Sequence, residues 1–385
     1  MTQIQFSLDL DILKDSVMNS NLDTIMKSSL VLVLNQLMEK ERDDYLQAGA
    51  YERSNERQDY RNGYYERDLL IGVGKIKLRV PRTREGNFSP TVFEKFSRVD
   101  QALTLSMLEM VVNGVSTRKV TNIVEQLCGQ GVSKSFVSSL TEKLDPIVNK
   151  WANRPLNVQY FPYLYADAMY IKVREHNKVV SKAVYIMTAM NEKKKRQVIG
   201  LKVDHVESFE AWKGFFQELK SRGLQSPKLV ISDAHAGLKK AIEREFIGTS
   251  WQRCTVHLKR NIIKKLPKKN MKQVISDLRK IYKSASGSEA RATKEEFINK
   301  YGDNKKLENA LNILEEGFED SIQYLNEDDK YQINISSTNS LERLNQEIRR
   351  RERVIRIFPN TQSAFRLIGA FLMENENLQL NKRNR

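Results

Sequence analysis

A chain of 385 residues is long enough for two to three domains and a substantial buried core. Its 64 Lys and Arg against 48 Asp and Glu give a formal charge of +16 and a pI of about 9.6. That balance argues against an ordinary metabolic enzyme and for a polyanionic partner, nucleic acid first. No apolar run approaches the roughly 18 residues of a membrane span. The opening MTQIQFSLDLDILKD carries acids and lacks the basic start and apolar core of a signal peptide. Two cysteines, Cys128 and Cys254, make no disulfide framework. An intracellular protein with no membrane partner is expected.

Residues 24–47 read as a helix, with Leu30, Val33, Leu34, Leu37 and Met38 at helical spacing. This stripe packs either on the rest of the chain or on a second copy. Residues 49–63 read as a polar loop. KIKLRVPR then alternates strictly, placing Ile76, Leu78 and Val80 on one face and Lys75, Lys77 and Arg79 on the other, and Pro81 is expected to end the strand. Its basic face is either a solvated surface or a phosphate contact. Residues 101–145 read as consecutive helices, and Ser133 after CGQGVS is placed to cap one of them. Helix, short turn, helix is the arrangement of a helix-turn-helix DNA reader. Its second helix would present Lys134, Ser135, Ser138 and Ser139 to a major groove, although any helical hairpin shares the pattern.

From residue 160 the pattern becomes β. YLYADAMYIKVR, KVVSKAVYIMTAM and RQVIGLKV are apolar or alternating runs separated by the polar turns REHN and NEKKKR, which suit antiparallel hairpins. A helix carrying Phe209, Trp212, Phe216 and Leu219 follows, then the short strand KLVISD and another helix. Three meandering strands, a helix, a strand and a helix is the order of an RNase H-like core with helices on both faces of a mixed sheet. Residues 251–335 read as a basic helical insertion, after which the core resumes. Charge concentrates here. Between Arg253 and Lys283 there are eleven Lys or Arg and one acid, Asp277, and between Arg343 and Arg356 six Arg stand against Glu347 and Glu352.

Three acids occupy contexts suited to phosphodiester chemistry. Asp167 lies within the first strand of the β region, Asp233 ends KLVISD, and Glu342 opens the helical STNSLERLNQEIRRR. Oxygen ligands suit Mg²⁺, with Mn²⁺ able to substitute. Two such ions would stabilise the attacking and leaving oxygens of an in-line displacement. Each acid also has a plainer reading: Asp167 as a polar residue of an edge strand, Asp233 as a helix N-cap, and Glu342 as the capping-box partner of Asn339.

The segments YLYADAMYIKVR, VVSKAV, LVISDAHAGLKKAI, WQRCTVHLKRN and STNSLERLNQEIRRR with IFPN, in this order, resemble the bacterial Mutator-type insertion-sequence transposases. The likeness runs from about residue 50 to about residue 375. It implies a DDE transposase with an RNase H-like catalytic core, the three acids falling on Asp167, Asp233 and Glu342 and the Cys-x-x-His signature on Cys254 and His257. A structural zinc site takes four ligands. Cys254 and His257 supply half of one, so packing or polar positioning beside the acids is the reading for that pair.

The expected enzyme binds double-stranded DNA at the terminal inverted repeats of its own element, cleaves 3′ ends and transfers them to target DNA. Its rivals are an RNase H-like nuclease without strand transfer and a non-catalytic DNA-binding repressor. Candidate DNA contacts are Lys75, Lys77, Lys134, Ser135, Ser138, Arg253, His257, Lys259, Arg260, Lys264, Lys265, Lys268, Lys269, Arg349 and Arg350. Trp251 would stack on an exposed base or be buried between core and insertion. Pairing two element ends calls for a homodimer or larger oligomer on DNA, in the bacterial cytoplasm at the nucleoid. The expected divisions are 1–48 (helical, dimerising), 49–100 (loop and small β segment), 101–150 (helix-turn-helix), 158–250 (first part of the core), 251–335 (insertion) and 336–385 (last core helices and tail).

Overall fold

A computed structural model of the chain describes residues 22–49, 51–52, 56–72, 74–93, 101–129, 131–267 and 271–383. Lys268 and Lys269, two of the expected DNA contacts, lie outside the described residues, as does the chain before Leu22. The chain is α/β and divides into two compact units, Met1–Thr141 and Glu142–Arg385.

In the first unit, helix α1 (Leu22–Leu46) lays Val31, Leu34 and Met38 against a two-stranded antiparallel sheet of β1 (Arg61–Ile71) and β2 (Gly74–Thr83). The apolar partners are Leu69, Ile76, Leu78, Val80 and Phe93, so this stripe serves an internal core. Strand β1 corrects the reading of residues 49–63 as loop only: RNGYYERDLLI buries few of its side chains, which hides the strand period. Nor does Pro81 end β2. It pairs with Tyr64 beside a register shift, and a two-stranded ribbon has free edges that tolerate a missing N–H. Helices α2 (Gln101–Val112), α3 (Thr117–Cys128) and α4 (Lys134–Thr141) follow. Ser116 caps α3, Gly129 closes it at φ 67°, and Ser133 Oγ accepts from the Phe136 N–H at 3.1 Å.

The second unit begins with α5 (Asp145–Ala152) and is built on a mixed five-stranded sheet of order β5-β4-β3-β6-β7. Strands β3 (Tyr163–Glu175), β4 (Lys178–Met190) and β5 (Arg196–Asp204) form an antiparallel meander. The two-residue turn His176–Asn177 has positive φ at both positions (47° and 61°), which matches the right-handed strand twist. β6 (Leu229–Ser232) and β7 (Ser250–Arg253) add in parallel. β7 corrects the expectation that residue 251 opens the helical insertion; these residues complete the sheet.

Period-2 alternation assigns the two faces. Leu164, Ala166, Tyr185, Met187 and Val230 pack under α6 (Phe209–Ser221) and α7 (Ala236–Glu245) through Trp212, Phe215, Phe216, Leu238 and Ile242. Tyr165, Met169, Ile186 and Ile231 face the other way, toward α13 (Asn339–Ile355) and α14 (Thr361–Arg383) through Leu341, Ile348, Ile368 and Phe371. Between β7 and α13 stand α8 (Thr255–Lys265), α9 (Lys272–Ile281), α10 (Gly287–Tyr301), α11 (Glu308–Ser321) and α12 (Asp329–Ile335). Helices α8 to α11 share a core of their own built from Leu258, Ile262, Leu278, Phe297, Leu314 and Phe318.

Candidate active site

Strand register brings the first two acids together. The parallel pairing of β3 with β6 ends at Tyr165 opposite Ile231. Asp167 lies two residues further along β3, and Asp233 lies just past Ser232, the last residue of β6; neighbouring strands run roughly 4.8 Å apart. Asp167 is half-buried on β3. Burial first, and the Asp233 carboxylate second, push its pKa up to about 7. Its Oδ1 accepts from the Ala168 N–H at 2.9 Å, and its Oδ2 accepts from Asn345 Nδ2 at 2.6 Å. Asn345 lies one turn beyond Glu342 on α13, so this bond fixes the start of that helix over β3.

Glu342 sits in the first turn of α13. Its Oε1 lies 2.9 Å from His257 Nε2 and its Oε2 lies 3.4 Å from Arg260. The capping-box alternative is not realised: Thr338 is the N-cap residue, and no side chain completes the cap. Asp233 is not a cap either, since His235 occupies that place on α7 and accepts from the Leu238 N–H at 3.3 Å.

Cys254 joins these elements. Its N–H donates to the Ser232 carbonyl at the end of β6, and its buried Sγ accepts from the N–H and hydroxyl of Thr338 at 3.4 and 3.3 Å. The Thr255 N–H donates to the Ser336 carbonyl. Together they hold the start of α8, with His257, against the start of α13, with Glu342. The neighbouring Cys254 sulfur is the main influence raising the His257 pKa, burial opposes it, and Glu342 and Asp233 add to the rise.

Among the described residues, no three His, Cys, Asp or Glu side chains already form a metal-holding group. Asp167 and Asp233 lie together, while Glu342 is engaged by His257 and Arg260. The donor chemistry nevertheless suits a hard divalent cation: two half-buried carboxylates repel one another, and the buried Oδ1 of Asn345, whose Nδ2 bonds Asp167, has no hydrogen-bond donor. Sequence reasoning missed Asn345, and also Glu207, which adds to the negative field at Asp167 and takes the Trp212 indole N–H at 3.0 Å. Neither has a local signal, because each reaches the site through tertiary packing.

The other candidates are dispersed. Lys264 and Lys265 are exposed at the end of α8, and Arg349 and Arg350 are exposed on α13, where Arg350 pairs with Glu347. Arg253 is half-buried against Gly317. Lys259 is half-buried, its ammonium 5.1 Å from the Tyr282 ring centre. Trp251 is buried at 9% exposure: its N–H donates to Ser232 Oγ at 2.8 Å and the Lys239 ammonium lies over its ring. Burial, the alternative to base stacking, is thus the state observed. In the first unit, Lys134, Ser135 and Ser138 are exposed on α4, whereas Lys75 and Lys77 pair with Asp68 and Glu66 of β1.

Residues 1–380 match the family described as Transposase, Mutator family. The chain is 51% identical over 374 residues to a Staphylococcus aureus protein, "Transposase for insertion sequence element IS256 in transposon Tn4001", covering 97% of this chain and 96% of that one. It is 41% identical to the "Transposase for insertion sequence element ISRM5" of Rhizobium meliloti, over 89% of this chain and 85% of that one. A Mycobacterium tuberculosis relative, "Transposase for insertion sequence element IS1081", is 34% identical over 91% of this chain and 84% of its own length. The chain belongs to the Mutator family of transposases.

Proposed function

We propose that this protein is the transposase of an insertion sequence, which binds the element's terminal inverted repeats, cleaves DNA 3′ ends and joins them to target DNA. The observation that carries the reading is that Asp167 on β3 feels the Asp233 carboxylate just past β6 and is bonded by Asn345 of α13, the helix that carries Glu342 one turn earlier. The names of the relatives supply the insertion-sequence context. The sheet order, with its antiparallel meander, two parallel strands and helices on both faces, supports an RNase H-like core of the DDE kind.

Asp167, Asp233 and Glu342 would hold Mg²⁺, with Mn²⁺ as a substitute. When bound, such ions acidify a water or a DNA 3′-OH and stabilise the leaving 3′ oxygen. The chain's own contribution is positioning. Asn345 orients Asp167, His257 and Arg260 hold Glu342, and Cys254 with Thr338 fixes the two helix starts. Exposed Lys264, Lys265, Arg349 and Arg350 would meet phosphates, which positions DNA without reading its sequence. The pair α3–α4 would act as a helix-turn-helix, with Lys134, Ser135 and Ser138 reading the repeats. Pairing of two ends implies at least a dimer on DNA, at the nucleoid of the bacterial cytoplasm.

The test uses labelled terminal-repeat DNA with Mg²⁺. Joined products are expected from the wild type. Asp167→Asn, Asp233→Asn and Glu342→Gln should each lose cleavage and joining, by at least about 100-fold, while end binding stays nearly intact, because a metal ligand is removed but the basic surface is not. Cleavage without joining would mean a nuclease, and binding without cleavage a repressor. Near wild-type cleavage by any of the three variants would remove that residue from the ligand set.

A further inference from the structure

Helices α8 and α9 enclose an open cavity of about 480 Å³ lined by Val256, Lys259, Arg260, Ile263, Leu278, Arg279, Tyr282 and Lys283. Its composition is divided. Val256, Ile263, Leu278 and the Tyr282 ring make apolar walls, while Lys259, Arg260, Arg279 and Lys283 contribute four cations. Arg260 reaches Glu342 at 3.4 Å, so the cavity adjoins the acidic site. The rest of the cationic charge is not neutralised locally. Asp277, the nearby acid, is buried and already bonded by Lys280, Lys300, Tyr301 and Gln273. Among the described residues, no acid forms an ion pair with Lys259, Arg279 or Lys283. Burial depresses the Lys259 pKa, and the Arg279 charge adds to the depression.

A surface that only bound the outside of a duplex would need the cations and no apolar cavity. An apolar cavity for a neutral ligand would not gather four cations at its walls. One chemical unit satisfies both halves: a nucleotide, whose base has apolar faces and whose phosphate is an anion. In an intact duplex the faces of the base are covered by stacking, so the unit must be unpaired. On the reading that this chain acts on DNA ends, we propose that the α8–α9 cavity receives an unpaired nucleotide of the DNA strand being processed beside Glu342. The base would lie against Tyr282 and Ile263, and the flanking phosphates would meet Arg279, Lys283 and Lys259. Stacking of one base on an aromatic ring is worth about 1–3 kcal/mol, or roughly 5- to 150-fold in affinity.

The experiment measures binding of the full chain, without divalent metal, to a blunt duplex and to the same duplex with a short oligothymidine overhang, placed on either end. At least about fivefold tighter binding of one overhang form is expected. Ile263→Trp fills the cavity without changing charge; it should abolish that preference and leave blunt-duplex affinity within about twofold of wild type. Arg279→Gln combined with Lys283→Gln should weaken overhang binding more than blunt binding. Circular dichroism and thermal melting verify folding of each variant, and Val256→Phe offers a second obstruction should Ile263→Trp not fold. Equal wild-type affinity for blunt and overhang duplexes, or a preference that survives a folded, obstructed cavity, would overturn the inference while leaving the transposase reading intact. Absence of binding to every duplex would overturn both.

Discussion

Cys254 shows how one side chain can set a site it does not enter. Its sulfur accepts two bonds from Thr338, and its backbone ties to Ser232, so β6, α8 and α13 meet at one residue. Cys254→Ala would leave the Thr338 N–H and hydroxyl buried without an acceptor. The expected cost is about 1–3 kcal/mol, and α13 should loosen so that Glu342 is misplaced and DNA cleavage falls. Cys254→Ser retains an acceptor and should cost clearly less on both counts. Urea unfolding and cleavage rates of the two variants provide the check; equal losses for Ala and Ser would mean that sulfur volume, and not hydrogen bonding, is what matters. The Cys254 and His257 spacing was visible in the chain as a motif. Its purpose was not, because the partner Thr338 lies 84 residues away in the chain. Asp233 illustrates the reverse case. Its place at the end of an apolar strand was legible, and only the structure, with His235 in the cap place of α7 and Asp167 close by, distinguishes a paired carboxylate from a helix cap.

At the level of elements, long strands with an apolar period announced themselves, and so did the helices that cover them. The short or polar strands did not. β7 is four residues of SWQR, and β1 buries only two of its eleven residues. Pairing, and not composition, makes them strands. Packing of the terminal elements of the second unit was equally invisible. Asp145 begins α5 and accepts from Arg366 of α14 through both oxygens, at 2.6 and 2.8 Å. The Arg366 hydrogen bond holds the Asp145 carboxyl below its ordinary value, and burial partly opposes it. A depressed carboxyl stabilises the fold in full above its unfolded pKa of about 3.9, and the contribution fades as pH falls through the lower, folded value. Arg366→Met should therefore destabilise the protein at neutral pH by about 1–3 kcal/mol. The deficit should shrink as the solution is taken below about pH 4. Melting temperatures of wild type and variant across that range decide it. A deficit that does not vary with pH would assign the loss to the packing of the arginine stem.

On the scale of the whole molecule, an excess of sixteen positive charges is organised by where acids are already engaged. Lys75 and Lys77 look basic in the sequence, but cross-strand acids answer them. Lys264 and Lys265 are exposed at the end of α8, where the helix dipole favours cations but no acid pairs with them among the described residues. The charges of Lys264 and Lys265 therefore remain available to a polyanion. Neutralising Lys264, Lys265, Lys268 and Lys269 together should weaken binding to terminal-repeat and unrelated DNA alike. Each phosphate that a lysine no longer neutralises lowers the slope of log affinity against log salt by about 0.9. If all four lysines meet phosphates, the quadruple variant should lower it by roughly 3.6. A solvated surface that merely keeps the helices apart predicts an unchanged slope. Affinity measured over a salt series separates the two, and an unchanged slope would move the path of the DNA to the exposed arginines of α13, Arg349 and Arg350. Glutamine replacements there should then carry the salt dependence instead, with sequence preference left to the α3–α4 pair.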